Sequence, residues 1–169
     1  HDALPIFYKL YQSDNVEVFE RKLGEGIRTM NRDKEYYPDA NFTLRLSYGM
    51  VDGYSPVEGL RYVHYTLPQS LIDKNEHNPA NPDYHLLPSV LDWLRKGRFG
   101  KKYADKDSGE MQLCFLTNND ITGGNSGSGM FDSKGRLIGL AFDGNWEAMS
   151  GDLKFDLHLQ RCIGVDIRY

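Results

Sequence analysis

The amino-acid sequence predicts a mainly β chain entered through a helical arm and interrupted by one short helix. Three observations carry that expectation. Helical apolar spacing is confined to residues 15–30 and to a short stretch before residue 97, residues 42–50 alternate strictly between apolar and polar, and the last third carries β-rich runs broken by glycine turns. The 169 residues suffice for one domain of ordinary size or a large piece of a longer protein. Apolar residues at 40% and charged residues at 26% lie near the globular average and support a packed core. The formal charge of −4 comes with its signs interspersed, so no nucleic-acid partner is expected. No apolar run reaches the roughly 18 residues of a membrane span.

In chain order, Val16, Phe19, Leu23, Ile27 and Met30 fall on one helical face, with Asp14 placed to cap the start. Gly24 and Gly26 weaken that helix slightly, and Pro38 ends it by disfavouring helical geometry at Tyr37. From Phe42 to Met50 the period is two, which reads as the clearest strand of the chain. "VDGYSP" is a turn, and residues 60–67 form a second strand rich in Tyr, Val and Thr. The polar "DKNEHNPANPD" reads as a loop. Residues 86–96 form a short helix with Pro88 in its first turn, Leu87, Leu91 and Leu94 inward, and Gly97 past its end. The connection after it carries Asp105, Asp107 and Gly109 but lacks the twelfth-position acid of a calcium loop, so no metal is expected. Strands follow at residues 111–117, 129–132, 136–142 and 162–168, and "DSKG" makes a hairpin turn with Gly135 at positive φ. The first residues lack the basic flank and cleavage site of a secretory signal. Cys114 and Cys162 sit in apolar surroundings without C-x-x-C spacing, which leaves buried thiols and a structural disulfide both open.

The segment "TGGNSGSGM", residues 122–130, places flexible glycines where a sheet should close. A P-loop needs Lys and Ser or Thr after its last glycine, and Gly129 is followed by Met130. The dinucleotide fingerprint from Gly127 fails at Asp132, and the nucleophile elbow from Gly124 fails at Ser128. Gly124-Asn125-Ser126-Gly127-Ser128 does match the nucleophile turn of chymotrypsin-like serine peptidases. There Ser126 would attack a carbonyl, and the Gly124 and Ser126 amides would receive the developing oxyanion. Side chains on the glycines would block that approach. A glycine-rich β-turn without chemistry is the alternative.

"TNNDITGGNSGSGMFDSKGRLIGLAFDGNWEAMSGD", the ending "LQRCIGVDIRY", "YYPDANFTLRLSYGMVDGYSP" and "FGKKYADKD" together resemble the bacterial dipeptidyl peptidases seven and eleven, serine exopeptidases that remove dipeptides from free N-termini. The likeness covers residues 35–169. It implies that this chain is a C-terminal portion of a chymotrypsin-type double β-barrel, with residues 1–36 the end of an inserted helical domain and residues 37–169 the barrel portion. It also implies homodimers, no cofactor, and a place in the periplasm or on the surface of a Gram-negative bacterium. By that resemblance Ser126 is the nucleophile, Gly124 the oxyanion donor, Asp143 an acid that holds the free α-amino group, and Gly144 the position that sets preference in the first pocket. An ammonium facing a carboxylate in a shielded cleft discriminates free N-termini from internal peptide bonds. Glycine at 144, where the acidic-specific relatives carry arginine, predicts a hydrophobic residue before the cut.

Two departures accompany the resemblance. Gly129 stands where the family has proline, and the family's triad histidine and aspartate have no counterpart around His1, His64, His77, His85 or His158. Without a base Ser126 is a poor nucleophile, so this portion by itself is expected to be inactive. A non-catalytic peptide-binding or assembly module and a trypsin-like endopeptidase are the other readings, the latter disfavoured by Asp143.

Overall fold

The computed structural model describes residues 14–34, 44–100, 102–106, 109–151 and 154–169. Tyr37, Pro38, Phe42, Thr43, Asp107 and His1 lie outside them. The chain divides into two units, residues 1–41 and 42–169. In the first, helix α1 spans Asp14–Met30, as the apolar spacing predicts. Phe19, Leu23 and Met30 on its apolar stripe are exposed.

The second unit is built on an antiparallel sheet. Its strands are β1 (Tyr65–Thr66), β2 (Cys114–Thr117), β3 (Gly129–Phe131), β4 (Leu137–Gly144) and β5 (Cys162–Asp166), in spatial order β1-β2-β5-β4-β3. Phe115 pairs with Gly164 and Ala141 pairs with Gly164 from the other side, so one row of positions crosses three strands. The Phe115 ring fills this row because glycines floor it. A Cβ on Gly139 would lie 2.7 Å from Phe115 Cε1 and one on Gly164 would lie 2.7 Å from Phe115 Cζ. Met111, Leu113, Phe115, Ala141 and Cys162 are buried around it and form the core. Cys114 and Cys162 pair with Val165 and Thr117 respectively, not with each other, and both are free thiols rather than a disulfide. Burial pushes both thiols above their usual range.

β3 and β4 form the predicted hairpin. Gly135 takes φ 74°, and Asp132 Oδ1 accepts from the amides of Lys134 and Arg136. β4 contains a bulge: Ala141 faces Gly164 but Asp143 already faces Ile163, so Phe142 is the extra residue.

Three sequence expectations need correction. The described part of the predicted strand, residues 44–50, forms no regular strand; only Met50 to Asp52 bond to the backbone of β2, through Asn118 N–H to Met50 O and Asp52 N–H to Leu116 O. The strand expected at residues 60–67 shortens to β1, with an isolated Tyr54–Tyr62 bridge before it. The "loop" after it is largely helix: α2 spans Pro68–His77, with Pro68 in its first turn and Gln69 Nε2 bonded to Asp73 Oδ1 at 2.7 Å. Polar composition hid this helix, because it buries only Pro68 and Ile72. Helix α3 spans Pro88–Lys96 with Gly97 at φ 58° past its end, as expected, and packs on α2. Its Leu94 is buried, but Leu87 is exposed rather than inward.

Candidate active site

The glycine turn is shaped by its own side chains. Asn125 Oδ1 accepts from the Thr122 amide at 2.9 Å, the Asn125 amide returns to Thr122 O at 3.2 Å, and Ser128 N–H closes on Asn125 O at 2.9 Å. Arg45 donates to Thr122 Oγ1 at 2.8 Å, tying the turn to the segment before it. Gly124 and Gly127 adopt φ of 95° and 82°, the left-handed region in which a Cβ is costly. Glycine is therefore required there by the bend itself.

The turn is laid against β4 by two backbone bonds, Gly127 N–H to Ala141 O at 2.7 Å and Ala141 N–H to Ser128 O at 2.8 Å. Ser126 is consequently exposed beside the bulge, with its Oγ 3.5 Å from Phe142 O. Asp143 and Gly144 follow immediately, so the structure brings together Gly124, Ser126, Asp143 and Gly144. Among the described residues neither the Gly124 nor the Ser126 amide has a hydrogen-bond partner. These are donors left free at an exposed hydroxyl. Among the described residues Phe142 O is also the only hydrogen-bond partner of Ser126 Oγ. Three of the histidines are engaged elsewhere: His77 Nδ1 meets Asp73 O, His85 Nε2 meets Pro79 O, and the His158 amide donates to Asp156 Oδ1. His64 sets its ring edge-on to Tyr65.

Asp143 is exposed, and its Oδ1 accepts from the Gly144 amide at 2.7 Å. Beyond it the chain is clamped by residues that sequence reasoning missed. Asn145 is buried; its Oδ1 accepts from Arg161 N–H at 2.8 Å while its Nδ2 donates to Glu147 Oε2 and Leu159 O. Tyr54 Oη donates to the same Glu147 oxygen at 3.0 Å, and burial raises the Tyr54 phenol above its usual range with Glu147 adding to the rise. The Arg161 guanidinium, 3% exposed, donates to the carbonyls of Asp52, Gly53, Leu157 and Gln160, faces the Tyr54 ring at 5.7 Å, and meets Asp52 Oδ2 at 3.3 Å. A buried guanidinium is tolerable because nearly all its donors are used. Nothing local in "LQRCIGV" signals this role, since its partners at Asp52 and Gly53 are remote in sequence. Among the described residues no cluster of three or more His, Cys, Asp or Glu could hold a metal ion.

A bent, amide-lined serine turn on an antiparallel sheet is a hydrolase arrangement, and comparison with known proteins agrees. The chain belongs to the peptidase S46 family, whose model matches residues 9–169. It is similar to Dipeptidyl-peptidase 7 of Porphyromonas endodontalis, 48% identical over 155 residues, covering 92% of this chain and 18% of the relative. It is also similar to the Asp/Glu-specific dipeptidyl-peptidase of Porphyromonas gingivalis, 42% identical over 168 residues, covering 96% of this chain and 23% of the relative. Among solved structures, DPP11 of Porphyromonas endodontalis in complex with the dipeptide Arg-Glu aligns with a TM-score of 0.73 and 35% identity, covering 83% of this chain and 20% of that one. The chain thus spans about a fifth of the length of the curated relatives it matches.

Proposed function

We propose that this chain is the nucleophile-bearing portion of a serine-type dipeptidyl aminopeptidase that releases dipeptides from peptides with a free N-terminus. The observation that carries the reading is the exposed Ser126 hydroxyl on a turn where the Gly124 and Ser126 amides have no partner among the described residues. In this reading Ser126 Oγ attacks the scissile carbonyl, and the two amides take the charge that forms on its oxygen. The proton passes to a general base supplied by a part of the longer protein, since none of the described histidines meets Ser126. Past Ala141, β4 has β5 on one side only among the described residues, which offers its outer edge to an extended substrate. The exposed Asp143 carboxylate then lies beside the substrate's α-ammonium, and Gly144 leaves the first pocket uncharged, favouring an apolar residue before the cut.

The finer architecture belongs to the same proposal: residues 37–169 contribute half of a chymotrypsin-like double barrel, residues 1–36 end a helical domain, and the complete protein is a homodimer of the periplasm or cell surface. The lack of a base at Ser126 among the described residues favours a second reading, a peptide-binding module that hydrolyses nothing. A fluorophosphonate probe on the full-length protein decides between them. Labelling that maps to Ser126 and disappears in Ser126→Ala supports the peptidase; no labelling supports the module. Dipeptide release from free peptides but not from N-acetylated ones is expected, and equal cleavage of both would point to an endopeptidase instead.

A further inference from the structure

Gly144 lacks a side chain at a place whose backbone would accept one. Its φ lies outside the left-handed region, unlike Gly124 and Gly127, so strain does not call for glycine there. The restriction is steric and comes from one group. Chain neighbours aside, an ideal Cβ on Gly144 would stand 2.8 Å from Ala148 Cβ, and the only other heavy atom within 4 Å is Arg161 O at 3.8 Å. The side of residue 144 is therefore open space bounded by a single methyl group.

That methyl is fixed in place. Ala148 lies in a short 3-10 turn, Trp146–Ser150, whose Trp146 and Met149 point to solvent while Ala148 is half-buried. Its amide bonds to Asn145 O at 3.0 Å, and Asn145 is held by the Arg161 amide, by Arg161 O through its own N–H, and by Leau159 O. Glu147, between them, is anchored by Tyr54 Oη and Asn145 Nδ2. Ala148 cannot drift from Gly144 without breaking several of these bonds.

We propose that Ala148 is a second specificity-determining residue, whose methyl bounds the space that Gly144 leaves for the substrate side chain before the cleaved bond. The inference rests on the proposed placement of Asp143 and Gly144 against the substrate's N-terminal residues. A methyl wall offers apolar contact and no hydrogen bond, so it suits aliphatic side chains. It also means that residues 144 and 148 act as a pair: a long side chain at 144 fits only when 148 gives way.

The test uses the full-length enzyme and dipeptidyl substrates ending in Ala, Leu or Asp. Ala148→Leu is expected to lower kcat/KM for the Leu substrate relative to the Ala substrate by about 10-fold, the scale of a one- or two-carbon mismatch in an apolar pocket. Gly144→Arg is expected to lose the Leu substrate while gaining little on Asp, and adding Ala148→Gly to it is expected to raise the Asp rate by about 10-fold. An unchanged Leu to Ala ratio in Ala148→Leu, or an Asp rate indifferent to Ala148→Gly in the arginine background, overturns the proposal when Ser126 still reacts with fluorophosphonate at the wild-type rate. Should Ala148→Leu lose that labelling, Ala148→Gly alone decides: a shift toward bulkier apolar residues supports the wall, and no shift removes it. A wild-type enzyme that cleaves no dipeptidyl substrate takes down the parent reading together with this one.

Discussion

Residues 44–50 and strand β4 are both held to the same sheet, but by different means. β4 is secured through its backbone, paired with β3 and β5 along its length. Residues 44–50 are secured through side chains: Arg45 reaches Thr122, Ser47 Oγ donates to Asp120 O, and Met50 N–H donates to Asn118 Oδ1. Gly49 passes so close that a Cβ would come within 2.5 Å of Asn118 Oδ1. The polar half of the alternation thus faces the protein, and the apolar half, Leu44, Leu46, Tyr48 and Met50, stands 70–102% exposed. Alternation fixes which residues share a face; it takes a backbone partner on the flank to make that face part of a ladder.

The difference can be broken most severely at the junction between the two regions. Arg161→Met removes the donor that serves the carbonyls of Asp52 and Gly53, and should cost about 3 kcal/mol in denaturant unfolding, because buried acceptors are left unmet. Gly139→Ala strikes β4 itself. Its Cβ would lie 2.5 Å from Val165 O, a backbone atom that cannot swing aside, and a loss of about 2 kcal/mol is expected by the same measurement. Ser47→Ala loosens the side-chain attachment and should cost about 1 kcal/mol. Leu44→Ser and Leu46→Ser should stay within about 0.5 kcal/mol for this chain, which a thermal melt checks, because no burial is lost. A large loss from either would mean that the exposed face is covered. At the far end of β4, Arg136 beside Asp132 holds that carboxyl below its usual range, by a side-chain hydrogen bond above all. Its contribution is present at neutral pH and fades as pH falls below the ordinary carboxylate range, so Asp132→Asn should flatten the acid limb of the melting temperature against pH.

What could be read from the sequence was what local chemistry decides. The α1 spacing, Pro88 and Gly97 around α3, and the "DSKG" turn each settle their own backbone within a few residues. The residues of the candidate site were legible for a similar reason, since Gly124 through Ser128 and the Asp143-Gly144 pair are contiguous. Residues 44–50 misled because a strand needs a partner, and a period of two does not name one. α2 was hidden because it is solvated on most sides, so polarity was mistaken for a loop. Asn145, Ala148 and Arg161 escaped because their roles come from contacts that exist only after folding. Arg161 in particular sits between Gln160 and Cys162 with nothing nearby to show that its charge is buried.

The extra residue at Phe142 has a geometric effect out of proportion to its size. Successive side chains leave a strand on opposite sides, so one unmatched residue inverts the parity of everything beyond it. Excising Phe142 would keep the order of the chemistry and reverse its handedness toward the serine: the carboxylate of Asp143 and the vacant side of Gly144 would trade faces. A deletion that made the ladder more regular would leave a better sheet presenting its acid to the wrong neighbour.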